Sequence, residues 1–127
     1  MKMVYFAVGC GGVLGSILRF LFDQLFSRTF LPLSSGILIV NLLGCFTIGL
    51  FLSLNSKRFS SLFKIAFSTG FLGSFTTFSS FSMKALDLFM EWGLRTSAIY
   101  ISITIIGGFC SVQLGQSIAM KIEKSSL

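Results

Sequence analysis

Apolar residues in this chain fall into four long runs joined by short polar stretches. The first extends from about Val4 to Phe26 and the second from about Ser34 to Leu54. The third extends from about Leu62 to Phe81, with a more polar continuation to Trp92, and the fourth from about Thr96 to Met120. Each is near the roughly 20 residues that a helix needs to cross a bilayer core. Pro32 stands just ahead of the second run, where a helix start tolerates it. The pattern predicts an all-α integral membrane protein, one domain over residues 1–127 with four transmembrane helices. Short connections imply antiparallel neighbours, and an even number of spans puts both termini on one side. The first run is too long for a signal peptide and carries Arg19 and Asp23 without a small-residue cleavage site, so it is read as a retained span.

The third run is not a plain spanning helix. Gly70–Phe81 reads Gly-Phe-Leu-Gly-Ser-Phe-Thr-Thr-Phe-Ser-Ser-Phe. Gly70 and Gly73 weaken a helix, and Thr76, Thr77, Ser79 and Ser80 offer hydroxyls to backbone carbonyls or to a solute. Irregular backbone survives in hydrocarbon only where protein or a polar cavity surrounds it. The stretch therefore predicts a third helix broken in mid-membrane that lines a path for a small solute. The competing reading is an unbroken buried helix whose hydroxyls bond back to their own carbonyls.

Composition narrows the function. The chain is 54% hydrophobic and 11% charged, against about 25% charged in soluble domains, so lipid is its solvent and the cell membrane its place. Histidine is absent and the carboxylates are Asp23, Asp87, Glu91 and Glu123. That removes most acid–base and zinc chemistry, and no nucleophile–base pair points to an enzyme. The net charge of +6 sits between the apolar runs, which fits membrane flanks and not a nucleic-acid face. Lys2, Lys57, Arg58, Lys64, Lys121 and Lys124 share the side of the termini; Arg28, Lys84 and Arg95 share the other. The bias favours cytoplasmic termini only modestly and leaves insertion in both directions open. Cys10, Cys45 and Cys110 lie in apolar runs without a Cys-x-x-Cys spacing and read as small buried apolar residues.

Polar groups inside the runs are the candidate chemistry. Arg19 is either a snorkelling side chain or a fixed positive charge that draws anions to a pore mouth. Asn41 is central in the second run, and its two N–H donors either glue helices or replace water around an anion. Phe78 and Phe81 share a helical face, and the positive edge of an aromatic ring can approach an anion. Thr76 and Thr77 sit at the expected break, where the carbonyls of Gly73 and Thr76 are the natural donors to a cation. Tyr100 and Thr104, one turn apart in the fourth run, extend a line of hydroxyls or, for the tyrosine, anchor an interface. Gly11 and Gly15, with further small residues in runs two and four, allow close helix contact.

With these residues assembled, the chain resembles the CrcB/Fluc family of fluoride channels. Gly11-Gly12-x-x-Gly15-x-x-x-Arg19, Gly36-x-x-x-Val40-Asn41-x-x-Gly44-x-Phe46 and Gly70-Phe71-x-Gly73-x-x-Thr76-Thr77-Phe78-Ser79-x-Phe81 are similar to the signatures of its first three helices, in order. Ser16, Phe20 and Ser74 depart from the usual alanine, tyrosine and glycine. The resemblance implies an antiparallel, dual-topology dimer with two pores that exports fluoride passively. Its partner is a second copy in inverted orientation or a separately encoded paralogue. It implies that Asn41, Phe78 and Phe81 contact the permeating ion, with Ser79 and Ser80 as a polar track beside it. Thr77, Tyr100 and Thr104 join the pore lining, and Arg19 lies at the vestibule. Gly73 and Thr76 carbonyls would hold a central structural sodium ion.

Two rivals remain. A proton-coupled small-molecule exporter needs a titratable carboxylate within a span, and Asp87 and Glu91 lie beside Trp92 near the end of the third run. A non-transporting assembly subunit would need only the glycine-rich faces.

Overall fold

A computed structural model describes residues 2–26, 36–54 and 59–125, all helical apart from short joints. Ser34, Pro32, Arg28, Lys57 and Arg58, on which the start of the second run and part of the charge count rest, lie outside these residues. In order, the elements are α1 (Lys2–Phe26), α2 (Gly36–Ser53), α3 (Ser61–Ile65), a π-helical turn π1 (Ala66–Leu72), α4 (Gly73–Phe75), α5 (Phe78–Trp92) and α6 (Leu94–Lys124). α1, α2 and α6 are each long and apolar enough to cross a membrane. The third run is divided among α3, π1, α4 and the start of α5. The fourth run makes a longer helix than its apolar core, because α6 extends to Leu94 and Lys124. At 1.5 Å per residue its 31 residues span about 46 Å, beyond a hydrocarbon core of about 30 Å.

The most extensive seam is α2 against α6. Glycine makes it possible: a Cβ on Gly115 would strike the Phe46 carbonyl, and one on Gly49 would strike the Val112 backbone. On the other side α1 lies against π1 and α4, with Gly15 pressed on the Phe71 carbonyl. α5 packs on α6, and the turn between them uses Gly93 at φ 82°, a conformation that disfavours any side chain. Ser97 is buried there and its hydroxyl donates to the Ala85 carbonyl at 2.7 Å.

Two small cores result. Val40, Leu72 and Phe75 form one, and Ala85, Leu88 and Tyr100 the other. Large apolar side chains such as Phe6, Leu14, Phe20 and Phe109 are exposed, as expected where lipid replaces water as the outer solvent. For the same reason the reading of the cysteines as buried fails for two of them. Cys10 and Cys110 are exposed on apolar helix faces, and Cys45 is half-buried.

Candidate functional site

The third run stops being helical at two threonines. Thr76 has φ −78° and ψ 153°, and Thr77 has φ −149° and ψ 126°, both extended. The Leu72 carbonyl keeps its helical bond from the Thr76 N–H at 3.0 Å, and beyond it side chains serve the backbone. The Thr76 hydroxyl donates to the Leu72 carbonyl at 2.9 Å. Thr77 caps α5, its Oγ1 accepting from the Ser80 N–H at 3.2 Å. The largest contribution comes from another helix. The Asn41 amide pairs with the Thr77 backbone on both sides: Nδ2 donates to the Thr77 carbonyl at 3.2 Å, and Oδ1 accepts from the Thr77 N–H at 3.0 Å. One N–H of the amide is not used in that pair.

This bonding frees particular carbonyls. In a continuous helix the N–H of Thr77 would bond the Gly73 carbonyl, and that of Ser80 the Thr76 carbonyl. The first is turned to Asn41 and the second to the Thr77 hydroxyl. The carbonyls of Gly73 and Thr76 thus lose their usual donors at one point of the chain. Their oxygens suit a hard cation, whose ligands elsewhere are unwound-helix carbonyls. Among the described residues no three His, Cys, Asp or Glu side chains gather as an alternative metal site.

Beside the break lies an open groove of about 610 Å³ between α2, α6 and the broken segment. Asn41, Gly73, Thr76, Thr77, Phe78, Phe81 and Thr104 all line it, and among the described residues no Asp, Glu, Lys or Arg does. Phe78 is 80% exposed. Its ring centroid is 5.7 Å from that of Phe81 at an interplanar angle of 43°. Phe81 in turn stacks on Tyr100 at 5.6 Å and 25°. Gly44 lets α2 approach, since a Cβ there would meet the Thr76 methyl group.

Not every candidate reaches the groove. Tyr100 is fully buried behind Phe81 and backs the ring without lining the space. Ser79 and Ser80 lie off the lining; the Thr77 Oγ1 is 3.1 Å from the Ser79 Oγ and 3.3 Å from the Ser80 Oγ, so the three hydroxyls cluster at the cap. Thr104 reaches the groove, but its hydroxyl donates to the Tyr100 carbonyl at 2.8 Å. Arg19 is half-buried on α1, away from the lining. The sequence reading passed over the wall made by Gly108 and Val112. They follow Thr104 at four-residue steps on one helix face, and that periodicity was the available signal.

A family profile described as CrcB-like protein, Camphor Resistance (CrcB) matches residues 6–116. The chain belongs to the CrcB family. Relatives agree over most of their length. A protein of Azobacteroides pseudotrichonymphae is 44% identical over 115 residues, covering 87% of this chain and 90% of the relative. One of Rhizobium etli strain CIAT 652 is 41% identical over 103 residues, covering 79% and 82%. One of Helicobacter acinonychis is 38% identical over 123 residues, covering 94% and 97%. Each of the three bears the name fluoride-specific ion channel FluC. As a CrcB protein with three membrane-capable helices, the chain is a multi-pass membrane protein and not an enzyme.

Proposed function

We propose that this CrcB protein is a fluoride channel that lets the anion leave the cytoplasm down its gradient. The observation that carries the reading is the groove itself. One amide, threonine groups and two tilted phenylalanine rings meet around a space that no charged side chain among the described residues lines. Fluoride is compact and holds water tightly, so a path for it must supply replacement partners. A spare Asn41 N–H and ring edges supply partial positive charge, while the threonine hydroxyls on the groove donate to protein acceptors. With no lysine or arginine of the described residues on the groove, binding stays weak enough for the ion to leave. The names of the relatives point the same way.

The groove is open on one side, and Phe78 stands exposed on it. A second copy in inverted orientation would close it and, by symmetry, make two pores, each with walls from both chains. The four spans of this reading are α1, α2, α6 and the composite third run, broken within the membrane at Thr76 and Thr77. Ser79, Ser80 and Thr104 border the path, Tyr100 backs Phe81, and Arg19 lies at an aqueous vestibule. The Gly73 and Thr76 carbonyls of both chains would hold a sodium ion between them. A cation so placed adds fixed positive charge near an otherwise neutral path.

The test uses purified protein in liposomes loaded with fluoride, with a potassium ionophore to dissipate the membrane potential. Fluoride leaves without any added energy source and chloride stays. Equal release of both anions, or release only with a proton gradient, would overturn the reading.

A further inference from the structure

The broken segment carries a second feature that the groove does not use. Phe59, Phe63, Phe67, Phe71 and Phe75 recur every fourth residue and form one continuous column of rings. Successive centroids are 5.3, 5.8, 5.3 and 5.7 Å apart. The last three steps are nearly parallel, with interplanar angles of 11°, 10° and 8°. Phe51 of α2 packs against the column at Phe59, Phe63 and Phe67, and Phe22 of α1 meets Phe75 edge-on.

A regular α-helix would not keep such a column straight. A residue four positions on lies about 40° past its predecessor, so the three steps from Phe63 to Phe75 would wind the rings about 120° around the axis. A π turn is wider, its N–H bonding a carbonyl five residues back, and four residues fall short of a full turn. π1 occupies the middle of the column, and the Gly73 N–H at its end reaches the Ser68 carbonyl. The backward drift of π1 offsets the forward drift of the α-helical residues on either side. The ring stacking and the π turn therefore support one another. The column ends at Phe75, next to the first extended residue.

We propose that Phe67 and Phe71 are positioning residues: by stacking, they hold the π turn in register and so aim the Gly73 and Thr76 carbonyls and the Asn41–Thr77 pair. Loss of the π turn shifts everything after it by one residue, about 100° around the helix axis. The carbonyls would then face another neighbour, and Thr77 would leave Asn41. The role in ion flow rests on the channel reading above; the register claim does not.

The register can be read directly. A Cβ at Gly12 of α1 would stand 3.2 Å from the Ser74 Oγ and meets little else, so cysteines at these two positions are placed to bridge. The experiment takes the full chain with Cys10, Cys45 and Cys110 replaced by serine, adds Gly12→Cys and Ser74→Cys, and follows intrachain cross-linking under mild oxidation in membranes. Cross-linking is efficient in this background and falls at least fivefold when Phe67→Leu and Phe71→Leu are added. Phe67→Tyr with Phe71→Tyr, which keeps the rings, restores it. In parallel, without the added cysteines, the double leucine protein still elutes as a dimer but releases fluoride at least tenfold more slowly. Phe63→Leu, at the exposed end, gives a smaller change in both and serves if the double variant does not fold. Unchanged cross-linking in the leucine variants overturns the proposal. Reduced cross-linking with normal fluoride release overturns the positioning role. No fluoride release from the unaltered protein would sink the channel reading, and cross-linking alone would then decide the register.

Discussion

The α2–α6 seam and the broken third run are built on opposite principles. At the seam, glycine removes side chains so that two regular helices meet backbone to backbone, with Gly49 against Val112 and Gly115 against Phe46. Both helices run unbroken through the seam. At the break, backbone groups leave the helix and side chains must serve them: Asn41 for the Thr77 N–H and carbonyl, and Thr77 for the Ser80 N–H. The first arrangement gives rigidity without chemistry. The second exposes carbonyls, an amide and rings to one groove, and it relies on the first to hold α2 and α6 still. In a protein surrounded by lipid, polar groups become available only where regular backbone is given up, and the cost is met by neighbours fixed elsewhere.

Substitutions should separate the two regions. Gly115→Leu has the largest expected effect, since its side chain must occupy space held by the Phe46 carbonyl and the Leu50 amide nitrogen. Overpacking a core costs about 1–3 kcal/mol even where side chains can shift, and backbone cannot yield so easily. Little folded protein should survive detergent extraction, as size-exclusion chromatography would show. Asn41→Leu comes next. It strands the Thr77 N–H and carbonyl at about 1–3 kcal/mol per buried group. The thermal midpoint should fall, and fluoride release should drop at least tenfold in whatever protein still elutes as the same species as the unaltered chain. Thr76→Val has the smallest effect of the three. It removes only the hydroxyl bond to Leu72, worth about 1 kcal/mol, and keeps the Thr76 carbonyl. Release within about threefold of normal is expected; a loss as large as that of Asn41→Leu would show that the hydroxyl, and not the backbone, is what the break supplies.

Much of this was legible along the chain. Glycine, threonine and serine crowded into Gly70–Phe81 announced irregular backbone, because such residues stabilise a spanning helix poorly. The extended residues are Thr76 and Thr77, inside that stretch. Asn41, Phe78, Phe81 and Thr104 share one groove, as their polar or ring-edge chemistry in apolar surroundings led one to expect. The partner of Asn41 was not legible. A bond between residues 36 apart leaves no local pattern, and an asparagine in an apolar run looks the same whether it serves a solute or a backbone. The π turn was hidden for a different reason. A four-residue phenylalanine period suits an α-helical face for two or three steps, and only the geometry of the full column distinguishes a wider turn. Tyr100 sits behind Phe81 and not on the groove, because its one-turn spacing from Thr104 fixes a face and not what lies in front of it.

In the proposed channel the aromatic edge of the groove handles the anion and is not merely packing. Phe81→Ile isolates that point, because it keeps an apolar side chain against Tyr100 and removes the ring edge. The decisive measurement is the fluoride release rate of Phe81→Ile protein in liposomes, made on material that elutes as the same species as the unaltered chain. A fall of at least tenfold is predicted, and release at the normal rate would contradict the account.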